Sequence, residues 1–188
     1  MASPIGHTLA GYLGYILMPV LPTKSMSPRW RMLGAISLAN LPDLDFLPGL
    51  LVGNVRAFHR QASHSLTLAL VTGGIFALSI WWRSRAVRKQ PQLLQIYWLP
   101  WGLWATAVYL GHLGLDLLMV DRIFPFGLQL LWPFSQTFFV SPIVLIPGLN
   151  FEQLLSGRNF CVVIVEILLV TPLIVLAGRL KHGIKINR

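Results

Sequence analysis

The residues of this sequence that are best suited to chemistry are its histidines and carboxylates, which are few and grouped. There are five histidines and six acidic residues in 188 positions. Seven of them form four short groups along the chain: His7; Asp43 and Asp45; His59 and His64; His112 and Asp116. Imidazole and carboxylate together suit zinc, manganese or iron. The groups therefore predict a divalent-metal site.

The spacing of these residues indicates how they could meet. His112 and Asp116 are four residues apart, so they share one face of a helix. Pro42 interrupts a helix directly before Asp43, which leaves the following turn to face a ligand. Seven candidate ligands exceed the needs of one tetrahedral ion, whereas two ions about 3.5–4 Å apart would use them better. Zinc is the first expectation, in one or two copies, and manganese and iron remain open.

The elements that position these residues are predicted to be membrane helices. Hydrophobic residues make up 55% of the chain and charged residues 11%, whereas soluble domains carry about 25% charged residues. A bilayer tolerates this composition, and water does not. The net charge of +9 does not indicate nucleic acid, because the basic residues lie between apolar runs, as they do in membrane loops.

The apolar runs predict an all-α, polytopic membrane helix bundle of about five spans. We expect one membrane-embedded domain over residues 1–188. The predicted spans cover approximately residues 5–21, 31–41, 66–82, 96–120 and 160–180. Prolines at 125, 133, 142 and 147 break the apolar stretch 121–159, which predicts an interfacial or re-entrant segment. Whether residues 129–149 span the membrane or lie on it stays open.

The distribution of Lys and Arg predicts the orientation. With five spans, eleven of the fifteen basic residues fall on one side, which the positive-inside rule makes cytoplasmic. The C-terminus is then cytoplasmic and the N-terminus outside. All seven candidate ligands fall on the opposite face, near one edge of the bilayer. Ionisable residues beside hydrocarbon are costly and usually functional, which favours a real site.

Five motifs, in this order, resemble those of the YdjM-like family: His-x3-Gly (His7, Gly11), Leu-Pro-Asp-Leu-Asp (41–45), His-Arg-x-x-Ser-His-Ser (59–65), Gly-His-x-x-x-Asp (111–116) and Leu-Trp-Pro-Phe (131–134). The resemblance covers roughly the first 135 residues. It implies an inner-membrane, metal-dependent hydrolase, distantly similar to zinc-dependent phospholipase C and single-strand nucleases. The four groups described above would then be its metal ligands. Gln61-Ala62-Ser63 departs from the Gly-x-Thr that the family often has there.

The function predicted from these residues and this resemblance is hydrolysis of a phosphoester or lipid-like substrate. A bound metal would activate water, and the partners would be membrane lipids and the substrate. Asp45 or Asp116 could act as general base instead of ligand. Arg60, next to His59, could hold a phosphate oxygen. Glu166 is isolated in the fifth predicted span, and the sequence assigns it no partner.

Two alternatives remain open at this point. A transporter for a metal ion or proton would also place histidines and carboxylates in a membrane. A non-catalytic membrane protein with a structural metal would use the same residues in closed coordination. The sequence predicts neither the substrate nor the oligomeric state.

Overall fold

The helices of this chain are seen in a computed structural model that describes residues 2–19, 27–54, 57–86, 98–120, 126–150 and 153–186. Six α-helices are formed there: α1 (Pro4–Leu17), α2 (Pro28–Ala39), α3 (Phe46–Leu51), α4 (Leu66–Ala86), α5 (Trp98–Leu117) and α6 (Gly157–Ile186). Two short 3-10 turns, Leu41–Asp45 and Ala62–His64, lie beside α3 and α4. The predicted all-α class is confirmed for these residues.

Local sequence explains where the first helices begin and end. Ser3 precedes α1 and its side chain accepts a hydrogen bond from the Gly6 N–H at 3.1 Å, as an N-cap residue does. Proline occupies the first position of both α1 and α2, where its missing N–H costs nothing. Pro42 is the second residue of the 3-10 turn that follows α2, where an α-helix could not continue through it.

The predicted number of five spans is not confirmed. Two of the described helices are long and apolar enough to cross a membrane, over Leu66–Arg83 in α4 and Gly157–Gly183 in α6. Helices α1 and α2 have 14 and 12 residues, which at 1.5 Å per residue gives only about 20 Å against a hydrocarbon core of about 30 Å. They are too short to cross as straight helices.

Helix α5 lies at the centre of the bundle and packs against α1, α2 and α4, while α1 also packs against α2 and α6. Small residues allow these close approaches. A Cβ atom on Gly11 would lie 2.6 Å from the Cα of Ile36 in α2. The Trp104 indole N–H donates to the Gly14 carbonyl at 2.8 Å and joins α5 to α1. These contacts fix α1 and α5 side by side.

The proline-rich segment between α5 and α6 is irregular where it is described, over residues 126–150. The Leu66 N–H donates to the Leu130 carbonyl, and the Gln129 N–H donates to the Arg60 carbonyl. The segment therefore holds the chain that precedes α4. Irregular structure was predicted here, and its interfacial or re-entrant placement stays a prediction.

Replacing Gly73 by alanine is expected to destabilise the α4–α5 contact by about 1–3 kcal/mol, as overpacking does in well-packed cores. A Cβ atom at Gly73 would lie 2.7 Å from the Gly102 carbonyl oxygen and would also meet Thr106. Gly74→Ala is the matched control, because a Cβ there meets nothing within 4 Å. Thermal unfolding in detergent measures both variants. Equal midpoints would contradict the packing described here.

Candidate metal centre

The seven predicted ligands lie together where α1, both 3-10 turns and the end of α5 meet. His7 lies in α1, Asp43 and Asp45 in the first 3-10 turn, His59 and His64 in the chain before α4, and His112 and Asp116 near the end of α5. The side chains of His7, His64, His112 and Asp116 are fully buried. The structure thus brings together residues separated by more than 100 positions.

Local turns aim the side chains of the two loops at this point. The 3-10 turn after Pro42 places Asp43 and Asp45 next to the chain that carries His59. Arg60 has a positive φ of 66°, a conformation that costs energy for a residue with a side chain. Its backbone N–H donates to Asp45 at 3.2 Å, which supports this turn. His59 and His64 can therefore face the same carboxylate.

Five of the six separations among four ligand atoms are close to the edges of a small tetrahedron; the atoms are His64 Nε2, His112 Nε2, Asp43 Oδ1 and Asp116 Oδ2. The two nitrogens are 3.2 Å apart. His64 Nε2 lies 3.5 Å from Asp43 Oδ1 and 3.4 Å from Asp116 Oδ2, and His112 Nε2 lies 3.6 Å from each of these oxygens. Tetrahedral zinc with bonds of about 2.0–2.1 Å has ligand–ligand edges of about 3.3–3.4 Å. The group can hold a metal ion.

The partners of the other ring nitrogens prepare these two histidines for a cation. His112 Nδ1 lies 2.8 Å from the Ala39 carbonyl oxygen, to which it must donate. His64 Nδ1 lies 3.2 Å from an oxygen of Asp45. Both Nε2 atoms then present lone pairs to each other, which is favourable only with a cation or proton between them. Orientation of a ligating histidine by a carbonyl or carboxylate is typical of metal sites.

Two carboxylates, the half-buried Asp43 and the buried Asp116, each face two sides of the cluster. Asp43 directs Oδ1 at His64 and His112 and Oδ2 at His7, 3.7 Å away. Asp116 likewise directs Oδ2 at His64 and His112, and its Oδ1 lies 3.5 Å from His7. Asp43 Oδ1 and Asp116 Oδ2 make no hydrogen bond although they are buried. Such oxygens suit a cation, because a buried unpaired carboxylate is otherwise costly.

His7 lies at the far side of these carboxylates. Its ring stacks on His112 with centroids 3.7 Å apart and planes inclined by 16°. Neither of its ring nitrogens makes a hydrogen bond, although the residue is fully buried. A buried imidazole without a hydrogen-bond partner is unusual and calls for an explanation. A second cation beside the first would explain His7.

Asp45 lies behind the histidines rather than among the four tetrahedral atoms. It contacts His59 Nδ1 at 2.9 Å and His64 Nδ1 at 3.2 Å, and accepts a hydrogen bond from the Ser63 hydroxyl at 2.5 Å. Burial raises the pKa of Asp45, but the hydrogen bonds from the two histidines outweigh it and hold the pKa well below its usual range. Asp45 is therefore an ionised acceptor that orients two rings.

His59 belongs to a second group of possible ligand atoms, with Asp43 and His64. Burial lowers the pKa of His59 below its ordinary value, although Asp45 acts in the opposite direction. The ring is thus favoured in its neutral form, with Nδ1 donating to Asp45. Its Nε2 is buried and makes no hydrogen bond. Phe46 stacks on this ring with centroids 4.1 Å apart and holds it in place.

The electrostatics of the cluster favour a positive charge at its centre. Burial alone would lower the pKa of His64, but the adjacent carboxylates of Asp116, Asp43 and Asp45 raise it to about 10. Three carboxylates are thus concentrated around one buried imidazole. A divalent cation would satisfy the same carboxylates that here favour the proton.

The chain before α1 closes the buried side of the cluster, which sequence reasoning missed. The Ala2 N–H donates to Asp116 Oδ1 at 2.5 Å. The Ser3 N–H donates to Glu166 at 2.6 Å, and the Ser3 hydroxyl donates to the same carboxylate. Glu166 thus has the partner that the sequence could not assign. The available signal was the rule that a carboxylate in an apolar helix needs a polar neighbour.

Comparison with protein families decides what kind of chain carries this centre. A sequence model of the YdjM inner membrane protein family matches residues 1–183. The chain belongs to the YdjM inner membrane protein family. No curated protein and no solved structure matches it. The matched region extends into α6, beyond the roughly 135 residues on which the resemblance was based.

For this YdjM protein, family and structure together establish membrane localisation. Two apolar helices of spanning length agree with the inner-membrane description of the family. The sides on which the termini lie remain predictions. That Arg60 binds a phosphate oxygen also remains a prediction. Its backbone holds the turn beside Asp45 and accepts from the Gln129 N–H at 3.1 Å.

Proposed function

We propose that this YdjM protein is a membrane-bound, metal-dependent hydrolase of phosphoesters, with lipid-like molecules as its substrates. The observation that carries the proposal is that more imidazole and carboxylate ligands converge here than one closed tetrahedral ion needs, which leaves room for a second ion or a water. Bound divalent cations would supply an activated water and neutralise charge on the phosphoryl oxygens. His7, Asp43, His59, His64, His112 and Asp116 would hold them.

The protein's own residues have separate roles in this proposal. Asp43 and Asp116 would serve both cation positions, because each directs its two oxygens at different histidines. Asp45 would hold His59 and His64 in orientation rather than act as general base, since both of its oxygens already accept hydrogen bonds. Arg60 would bind a phosphate oxygen beside His59. Zinc fits the four-atom spacing best.

The accessible side of the centre supports a lipid-like substrate. Asp43 has 14% of its side chain exposed and His59 has 9%, whereas His112 and Asp116 have none. A substrate would therefore enter beside Asp43. Exposed apolar side chains of α3 adjoin this opening, with Leu47 and Leu51 among them. An apolar surface next to a polar site suits the boundary between acyl chains and headgroups.

The location of the buried polar groups supports hydrolysis over transport. The four acidic residues that the structure describes all lie at or beside the centre, at one end of the bundle. In α4 the buried positions beyond the centre are Thr72 and small apolar residues. A transport path needs polar groups through the full depth of the membrane.

The proposal is tested with the full-length protein purified in detergent. Elemental analysis identifies the bound metal, and chromogenic phosphodiesters, phosphomonoesters and phospholipids serve as substrates. We expect hydrolysis of at least one class, lost on chelation and restored by zinc or manganese. Bound metal without turnover of any of the three classes would replace this proposal with a structural site. Metal flux in proteoliposomes without hydrolysis would replace it with transport.

A further inference from the structure

A second polar cavity lies at the opposite end of α1 from the metal centre. It has a volume of about 550 Å³ and lies between the end of α1, the start of α2 and the end of α6. Its polar and basic lining residues are Tyr12, Tyr15, Arg31, Lys181 and His182. His7 and Tyr15 are eight residues apart on α1, which corresponds to about 12 Å along its axis. The cavity is therefore separate from the centre.

The described wall of this cavity is basic. Arg31 and Lys181 each bring a positive charge to its wall. Among the residues that the structure describes, no carboxylate lines it; Asp121 and Glu152 lie outside them. Two basic side chains at one cavity favour an anionic ligand there.

A nitrogen atom of Arg31 lacks a hydrogen-bond acceptor, which is an observation independent of the cavity's charge. Its Nε atom is buried and makes no hydrogen bond, and a buried N–H without an acceptor is costly. Lys181 lies across the cavity, and its ammonium donates to the Ile16 carbonyl at 2.5 Å. That bond anchors a positive charge beside the C-terminal end of α1. Charged groups on different helices thus border one space.

The donors around the cavity match the chemistry of a phosphate group. An arginine guanidinium fits phosphate oxygens with its planar set of N–H donors. The tyrosine hydroxyls add neutral donors, and Ile16 and Met18 add apolar surface on one side. A volume of this size is typical of a small-ligand pocket. Basic pockets between helices at a membrane face bind phospholipid headgroups.

We propose that this cavity binds the phosphate group of an anionic phospholipid. It lies on the side that the Lys and Arg distribution predicts to be cytoplasmic, where anionic lipids are enriched. The phosphate would lie between Arg31 and Lys181, with the acyl chains along the apolar part of the rim. The inference does not depend on the metal centre or on hydrolysis.

The test uses the full-length protein in nanodiscs of phosphatidylcholine alone or with added phosphatidylglycerol. We expect phosphatidylglycerol to raise the midpoint of thermal unfolding and to remain bound in native mass spectrometry. The double variant Arg31→Gln, Lys181→Gln should weaken lipid binding about tenfold or more, since each basic group near a membrane surface contributes measurably. Arg83→Gln is the control, because Arg83 is an exposed basic residue at the end of α4, outside the cavity.

The outcomes separate the explanations. The proposal would be overturned if the midpoint of thermal unfolding were the same in both nanodisc compositions. It would also be overturned if Arg83→Gln lost as much lipid binding as the double variant. Stabilisation by inorganic phosphate alone, in phosphatidylcholine, would support the phosphate site and assign it to a soluble ligand; a response only to phosphatidylglycerol assigns it to lipid. If the double variant does not fold, Arg31→Lys and Arg31→Gln are compared. Equal retention of phosphatidylglycerol by the two variants would overturn the proposal.

Discussion

Replacing His112 by alanine is expected to reduce the metal content of the purified protein to that of a chelated sample. The change removes one corner of the four-atom group and leaves His64 Nε2 without the nitrogen 3.2 Å away. It also removes the ring that stacks on His7. A metal site that loses a ligating imidazole binds its ion more weakly, so the ion is lost during purification. Elemental analysis after gel filtration measures the result.

The matched control for this variant is His182→Ala. His182 is exposed near the end of α6 and lines the basic cavity, remote from the centre. It should retain the full metal content of the wild-type protein. Full metal content in the His112 variant, with an unchanged circular dichroism spectrum, would contradict the assignment of the centre.

A related measurement separates one bound ion from two. His7→Ala removes the imidazole on the far side of the two bridging carboxylates but leaves the tetrahedral group complete. With two ions, the metal content should fall by about half, because the second position loses its histidine. Unchanged stoichiometry would mean that His7 ligates nothing and that the centre holds one ion.

Replacing Asp43 by asparagine is expected to reduce hydrolysis by about 10³-fold or more, because metal ions contribute several kcal/mol to such reactions and each 1.36 kcal/mol is tenfold. Asp43 faces all three buried histidines of the centre and belongs to both groups of possible ligands. The neutral amide keeps the shape of the side chain but loses its charge. Initial rates with the best substrate class measure the effect.

Asp45→Asn provides the graded comparison, because Asp45 contacts the Nδ1 atoms of His59 and His64. Loss of such an orienting partner typically costs 10–100-fold in metal affinity or activity. We therefore expect a smaller defect than for Asp43, and recovery of activity with added metal if affinity is what changes. A larger loss in Asp45→Asn than in Asp43→Asn would reverse the roles given to the two residues.

The position of the centre has a physical reason in the membrane. Histidines and carboxylates are tolerated there because they lie at the ends of helices, where α1 begins and α5 ends. The other end of α1 borders the basic cavity, together with α2 and α6. One end of the bundle thus carries the cluster of histidines and carboxylates, and the other carries the basic cavity.

The lengths of the helices leave the predicted number of spans unconfirmed. Residues 5–21 and 31–41 are apolar enough to predict spans, but α1 and α2 are short. An apolar composition indicates that a segment can lie in a membrane. It does not indicate how many residues form one continuous helix. Prolines at 19, 22 and 42 mark the boundaries, and residues 20–26 lie outside the described part of the chain.

The sequence by itself determined the helical class, the membrane setting and the residue types of the centre. These follow from composition, from prolines and from the rarity of histidine and aspartate among apolar residues, which are local properties. Only the tertiary structure decided that Asp45 orients two histidines, that Glu166 holds Ser3, and that Arg31 and Lys181 border one cavity. Glu166 and Ser3 are 163 positions apart, and such pairings depend on how helices pack, which the short-range spacing of residues does not encode.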